Sequence, residues 1–354
     1  MNWMFYLKTT ETCNLNCRHC FTNGINGPKI YWNKSKVSNW IQRFIEENTE
    51  SSDTLHCEFH GGEPFLVDVQ EMRDVYDYCD NLHPNITWGA TTNLVFKLRE
   101  EHVDFIKGPL GNRLGTSWDP KIRFDNDKQL KLWLDNVQHL IAEGVTIRLF
   151  ISVTKDTIAI EPIYLLSWIK SLGVQEVSFE RLTGNGSALK HPDIFPDNLE
   201  QDAWFLKMHE QSVLYNTRDW FDNDFLETIY SKFETGFIKG GTFCRDCEEK
   251  IFTLNADGGI SGCPNSAPEF QFGNINNSIK SVINSNVRLE NMACEKSRNP
   301  ICYSCEVFQH CGGDCHQLAW QNDICGAPKS LMKLLADQKS TKKVWIIKEE
   351  NGNT

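Results

Sequence analysis

Eleven of the chain's fourteen cysteines fall into clusters, and that clustering limits what the chain can fold into more than any other feature of the sequence. The first cluster, Cys13-Asn-Leu-Asn-Cys17-Arg-His-Cys20, follows an apolar run, Trp3 to Leu7, that reads as a strand. Its three thiols can converge within one loop, one short of the four that a closed zinc or iron–sulfur site needs. A corner left open in this way is where a substrate or cofactor can bind. Eight more clustered thiols come late: Cys244, Cys247, Cys263, Cys302, Cys305, Cys311, Cys315 and Cys325. They suffice for two fully ligated four-iron clusters, while Cys57, Cys79 and Cys294 stand apart. A disulfide framework would suit a small secreted chain, whereas this one has 354 residues and no apolar signal core. Metal ligation is therefore the expected role of the clusters.

Charge and hydropathy narrow the classes further. The formal net charge is −11, and no Lys/Arg patch precedes Lys342-Lys343, which argues against non-specific nucleic-acid binding. Arg148 interrupts the apolar stretch from Val145 to Val153, so no run approaches the roughly 18 residues of a membrane span. A cytoplasmic protein with neither a membrane nor a nucleic-acid partner is expected.

Up to about residue 181 the periodicity alternates. Strands are expected at Leu55 to His60, Ile86 to Thr92, Arg113 to Trp118, Thr146 to Val153 and Val177 to Arg181. Helical spacing appears in Val37, Trp40, Ile41, Phe44 and Ile45, then in Val69 to Leu82, Arg99 to Ile106, Leu130 to Ile141 and Ile163 to Leu172, with Gly173 as a C-cap. Parallel βα units of about 30 residues follow, in an open doubly wound sheet or a partial barrel. Either places chemistry at the C-terminal strand ends, where the cysteine loop, Gly61-Gly62-Glu63-Pro64, Thr92-Asn93 and Ser117-Trp118-Asp119 all fall. A break near Thr183 precedes helical, aromatic-rich sequence to about Ile238, after which periodicity fades as in a metal-held domain. Val344 to Ile347 reads either as an added strand or as loose chain.

Two readings of the metal stay open on spacing alone. The first loop suits an open four-iron cluster or a zinc knuckle completed by His19, and the later Cys-x2-Cys pairs suit zinc as well. Gly61-Gly62-Glu63-Pro64 alone is a simple turn, in which glycines also let backbone approach a ligand. Paired with the three-cysteine loop, the turn becomes specific.

In these residues the sequence resembles the radical S-adenosylmethionine (SAM) enzymes, whose hallmark is a Cys-x3-Cys-x2-Cys loop after the first strand of a partial (β/α)6 TIM-like barrel. The resemblance implies that the open iron of a [4Fe-4S] cluster on Cys13, Cys17 and Cys20 is chelated by SAM, which is cleaved to a 5′-deoxyadenosyl radical that abstracts a substrate hydrogen. It implies SAM contacts from Gly61, Gly62, Glu63 and Pro64, and from Asn93 and Ser117 at strand ends. Asp119 is a candidate proton acceptor or a cap for the turn before Pro120; Glu180 and Arg181 would bind SAM or substrate, or pair with each other.

The C-terminal cysteines resemble the SPASM domain. Carried over by position, Cys244, Cys247, Cys263 and Cys315 hold one auxiliary [4Fe-4S] cluster, and Cys302, Cys305, Cys311 and Cys325 the other, making three clusters in all. His310 and His316 flank cluster cysteines and either tune them or are exposed neighbours. The implied organisation is an α/β radical SAM barrel over 1–190, a helical bridge over 191–240, a Cys-rich SPASM domain over 241–330 and a tail over 331–354.

SPASM enzymes mostly modify peptides, so a precursor peptide is the expected substrate. The sulfatase maturases, which make formylglycine, usually carry Tyr before the third cysteine and Asp after the one matching Cys263; here those positions are His19 and Pro264. Residues 117–124 and 179–186 look similar to enzymes that install cyclophane-type carbon–carbon cross-links, which is the favoured reaction. The twelve residues before Cys13 leave no room for an N-terminal leader-binding domain, so the leader is expected to be bound by a separate leader-binding protein or by the barrel–SPASM surface, with an external flavodoxin- or ferredoxin-type electron donor. The rival class is a non-catalytic iron–sulfur electron carrier, which would need neither the open iron nor the Gly-Gly-Glu-Pro turn.

Overall fold

A computed structural model of the chain describes residues 1–22, 24–236, 243, 245–265 and 270–350, without the side chains of 340–350. Cys244 lies outside the described residues, as do Asn23 of the turn after the cysteine loop and the stretch around Ile238.

Six strands follow one another in chain order: β1 (Asn2–Thr10), β2 (Thr54–Gly61), β3 (Ile86–Thr92), β4 (Arg113–Ser117), β5 (Thr146–Val153) and β6 (Glu176–Arg181). All neighbouring pairs are parallel. The crossovers carry α1 (Lys34–Asn48), α2 (Val69–Cys79), α3 (Glu100–Lys107), α4 (Asp127–Ala142), the single turn α5 (Lys155–Ile158) and α6 (Pro162–Leu172). Side-chain oxygens of Asn33, Asp68 and Asn126 accept the first free N–H groups of α1, α2 and α4, and Gly173 closes α6 in the left-handed conformation, with φ of 78°. Strand order that follows chain order removes the doubly wound alternative, in which the order reverses at a switch point.

Successive residues of these strands face opposite ways. Phe5, Leu7, Leu55, Cys57, Phe59, Leu114, Ile147, Leu149, Ile151, Val177 and Phe179 are buried beneath the helices. The other face carries Tyr6, Glu58, Gly115, Phe150, Ser178 and Glu180, which line one cavity of about 660 Å³ together with residues of β3. A flat sheet cannot present six strands to one cavity, so this sheet curls around it.

The sheet continues at both ends. After α7 (Asn198–Leu214), β7 (Asp222–Asn223) adds parallel to β6, followed by α8 (Asp224–Thr235) and the single turn α9 (Cys247–Lys250). Then β8 (Ile251–Leu254) pairs parallel with β1, and β9 (Gly259–Ser261) and β10 (Gly273–Asn274) extend that edge antiparallel. Phe252 of β8 is fully buried and packs its ring on Trp3, Phe5, Trp40, Phe44 and Phe272, seating the late strand on the first core. The remaining helices are α10 (Ile279–Ile283), α11 (Asn286–Lys296), α12 (Phe308–Cys311) and α13 (Lys329–Glu350).

Val344 to Ile347 lie in α13, neither a strand nor loose chain. Asp202 of α7 accepts the Ser330 N–H at 2.9 Å and starts that helix, and a run of Leu, Lys, Met and Ala carries it through the β-branched residues. Among the described residues no helix is long and apolar enough to cross a membrane.

Candidate functional site

The stem of the first cysteine loop is built backbone on backbone. Gly62 donates its N–H to the Thr10 carbonyl at 2.9 Å, and Glu63 donates to that of Thr12 at 3.0 Å. A Cβ on Gly61, whose φ is 141°, would sit 2.4 Å from the Thr10 oxygen, and one on Gly62 1.9 Å from the Thr12 oxygen. These glycines make room for the chain's own residues just before Cys13, rather than only for a ligand. Glu63 is fully buried; its carboxylate accepts the Thr92 hydroxyl at 2.6 Å and the N–H groups of Phe65 at 3.0 Å and Asn93 at 2.7 Å. Burial pushes Glu63 up to about 7 against the pull of these donors. Asn93 in turn donates to Cys13 Sγ at 3.5 Å and to the Asn14 side chain at 2.7 Å. The ends of β1, β2 and β3 are thus tied into one rim around the first thiol.

Around that rim the loop is held from two more sides. Cys20 donates its N–H to the Cys17 carbonyl, and the Cys20 carbonyl accepts from Ser187 at 2.7 Å. Gly186 lies against Phe21, where a Cβ would meet the carbonyl at 2.4 Å. Burial pushes the Cys13 thiol up to about 11 and Cys17 to about 12, so neither is a thiolate at neutral pH unless a metal replaces its proton.

His19 does not complete a zinc site. Its Nε2 lies 3.5 Å from Asp119 and 3.3 Å from Arg123, and burial holds the ring neutral, at about 4. Among the described residues no three His, Cys, Asp or Glu side chains are arranged to hold a single ion. A cluster differs, because each thiolate binds a different iron and the sulfurs stand further apart.

Asp119 is 1% exposed, salt-bridged to Arg123 at 2.6 Å, and accepts the Ser152 N–H. Burial alone would raise its carboxyl, but the guanidinium and that N–H hold it below the usual range. It is engaged in positioning Arg123 and does not line the cavity; Ser117, Glu180, His19 and Arg123 do. Glu180 accepts the Ser178 hydroxyl at 2.7 Å, and Arg181 turns to Asp314, so the two do not simply pair with each other.

Sequence reasoning missed the cavity floor. His56 bridges Glu58 at 3.0 Å and Thr87 at 2.9 Å, while Glu58 accepts the Thr91 hydroxyl at 2.6 Å. Gly89 leaves room for this group, since a Cβ there would meet Glu58 at 2.2 Å. His60 lies between the rings of Tyr6 and Phe21. The signal was the alternation His56-Cys57-Glu58-Phe59-His60: a parallel strand buried on both faces is apolar throughout, so the polar positions marked a cavity-facing side.

The late cysteines sort into two groups. Cys302, Cys305, Cys311 and Cys325 line one cavity of about 300 Å³. Cys247, Cys263 and Cys315 line another of about 150 Å³, with Glu295 and His316. That smaller cavity shares Ser178, Glu180, Arg181, Thr183, Asp224 and Asn265 with the large one. Cys244, the fourth thiol that the SPASM resemblance assigns to the smaller group, lies outside the described residues. His310 stacks on Phe233 at 4.4 Å and lines neither cysteine cavity. Cys57 and Cys79 are fully buried in the core and Cys294 is exposed.

No protein-family model matches the chain. An uncharacterized protein of Methanocaldococcus jannaschii is 29% identical over 115 residues, which is 32% of this chain and 37% of that protein, so the match spans little more than a third of the relative. Among solved structures, native anSMEcpe, an anaerobic sulfatase-maturating enzyme, with bound AdoMet and Cp18Cys peptide superposes with a TM-score of 0.78. The identity is 14%, and 99% of each chain is covered. Streptococcus suis SuiB bound to precursor peptide SuiA gives a TM-score of 0.61 at 14% identity, covering 89% of this chain and 72% of that one. At these identities the likeness is one of fold: the chain shares the fold of these two structures along most of its length.

Proposed function

We propose that the chain is a radical SAM peptide maturase, with Cys13, Cys17 and Cys20 holding a SAM-binding [4Fe-4S] cluster at the mouth of a partial barrel. The observation that carries the reading is the division of the late thiols between two cavities behind a three-thiol loop whose stem is pinned by Gly61 and Gly62. Buried and half-buried thiols that line one cavity in sets of three and four suit clusters by donor chemistry. When bound, the first cluster and SAM supply the hydrogen-abstracting radical. The protein's own part is to place the substrate in the large cavity and to accept a proton there. Glu180 is the candidate acceptor because it lines both the large cavity and the adjoining cysteine cavity. Asn93 keeps Cys13 in place, and Ser117 faces the cavity where SAM and substrate would meet.

The substrate in this reading is a ribosomally made precursor peptide, and the favoured product an intramolecular carbon–carbon cross-link. A separate leader-binding protein and a flavodoxin- or ferredoxin-type donor complete the proposed partners, in the cytoplasm. A second reading, formylglycine formation, is favoured by the end-to-end superposition on anSMEcpe. Against it, His19 is packed on Asp119 and Arg123, and Pro264 stands in the cavity wall where a proton-accepting Asp would be needed.

The test is anaerobic reconstitution, reduction and addition of SAM. Release of 5′-deoxyadenosine, absent in Cys13→Ala with its other clusters verified, is the expected result; none above that control would sink the enzyme reading. Mass spectrometry of a co-expressed aromatic-rich peptide from a neighbouring reading frame should show loss of dihydrogen without a new aldehyde. An aldehyde-reactive product would instead favour formylglycine.

A further inference from the structure

The two cysteine cavities meet at one short segment. Cys311 lines the larger cavity and Cys315 the smaller, with Gly312, Gly313 and Asp314 between them. Three guanidinium groups converge on that segment from three parts of the chain. Arg181, at the end of β6, forks onto the Asp314 carboxylate, with one of its two bonds at 2.8 Å, and also donates to the Gly326 carbonyl at 3.1 Å. Arg245 donates to the carbonyls of Gly313 and Asp314, and Arg298 to that of Gly312. The glycines are needed for this: Gly312 and Gly313 take φ of 65° and 95°, and a Cβ on Gly313 would sit 2.4 Å from the Arg298 chain. Arg181 and Arg245 are almost wholly buried, and Asp314 is the carboxylate that faces Arg181.

Arg181 and Arg245 are buried and Arg298 is half-buried, and the carboxylates of Asp314 and Glu295 do not balance all three cations, which is costly unless further negative charge is close by. Backbone carbonyls satisfy the N–H groups but supply no net charge. Thiolate-ligated iron–sulfur clusters are anionic, and one-electron reduction makes them more so without taking up a proton. A cluster in either cavity would supply the missing anion. Arg181 also lines the smaller cysteine cavity and the large substrate cavity, so its charge is felt where an electron would leave the substrate.

We propose that Arg181, Arg245 and Arg298 form a guanidinium clamp on the Gly312–Asp314 bridge that stabilises the reduced state of the clusters on both sides of it. The inference rests on the reading of the late cysteines as two cluster sites. These arginines are positioning and charge-compensating residues, and none is assigned a bond-making step.

The experiment is a redox titration of the reconstituted full-length protein with titanium(III) citrate, followed by electron paramagnetic resonance, after iron and sulfide have been counted. Arg181→Met, loaded with the same iron as the parent, should lower the reduction constant of both auxiliary clusters at least tenfold, which is about 59 mV for one electron. Arg181→Lys should recover most of that shift, and Asp314→Asn should move the potentials the opposite way. If Arg181→Met does not fold, Arg298→Ala tests the same charge from a half-buried position and should shift in the same direction as Arg181→Met. Fully loaded variants whose potentials match the parent, or arginine and aspartate variants that shift together, would overturn the clamp. A parent protein with no auxiliary iron would overturn the two-cluster reading itself and the clamp with it.

Discussion

The β1–β6 half and the described residues from Phe243 to Gly326 hold a buried site in different ways. The first half rests on a continuous apolar layer between sheet and helices, in which Trp40, Phe44, Phe59, Phe105 and Trp133 are almost fully buried. The second has short strands and, apart from α11, helices of one turn or little more, and beside Phe252, Ile260 and Ile279 it buries charge: Arg245, Glu248, Arg288, Glu295 and Asp314 are all nearly inaccessible. Glu295 accepts the N–H groups of Cys247 and Glu248 at 2.8 and 3.0 Å, capping the turn that carries Cys247. Arg288 donates to the carbonyls of Ile283 and Glu249. Where charged side chains on backbone carbonyls hold the loops that carry the thiols, a bound metal would add to the folding energy of those loops.

Removing the metal should break that comparison open most visibly. Stripping iron with a chelator under anaerobic conditions should leave the β1–β6 amides protected while those of 245–325 exchange freely, as followed by hydrogen exchange; uniform loss across both halves would refute the contrast. Next comes Gly62→Ala, whose Cβ would collide with the Thr12 carbonyl. It should cost about 4 kcal/mol or more and release the first cluster while the late ones stay loaded. Iron counting together with thermal unfolding would show it. Phe252→Ala removes the ring that joins the two halves and should cost about 3–5 kcal/mol, with iron lost from the late sites first. Exchanging the exposed Lys131–Asp135 pair on α4 should change stability by no more than about 0.5 kcal/mol, since that helix is held by its buried face.

Legibility in the sequence divided along the same line. Two strands, Ile86–Thr92 and Thr146–Val153, lie where the apolar pattern places them, and Gly173 closes its helix as expected. Local pattern is enough there because each strand packs under the helix that follows it. The strands that flank the six were not readable. β7 and β10 are two residues each, and β8 finds its partner in β1, where Met4 pairs with Ile251 across most of the chain. No local spacing reports a contact of that range. The lining of two cavities by the late thiols was not legible from spacing, since Cys311 and Cys315 are four residues apart yet line different cavities. The cavity floor of His56, Glu58 and Thr91 was hidden by its ordinary composition, and only its alternation within a parallel strand set it apart.

The parallel pairing of β1 with β8 also bears on how the protein is made. β1 gains β2 early, but its other edge stays open until Ile251–Leu254 has been synthesised. Through that interval the nascent chain exposes an unpaired, strongly apolar strand edge beside the cysteine loop, a template for pairing with other chains. Production of this protein should therefore depend on chaperone supply and translation speed more than its finished stability would suggest. Iron delivered to the first loop too early would reach a site whose neighbouring wall does not yet exist.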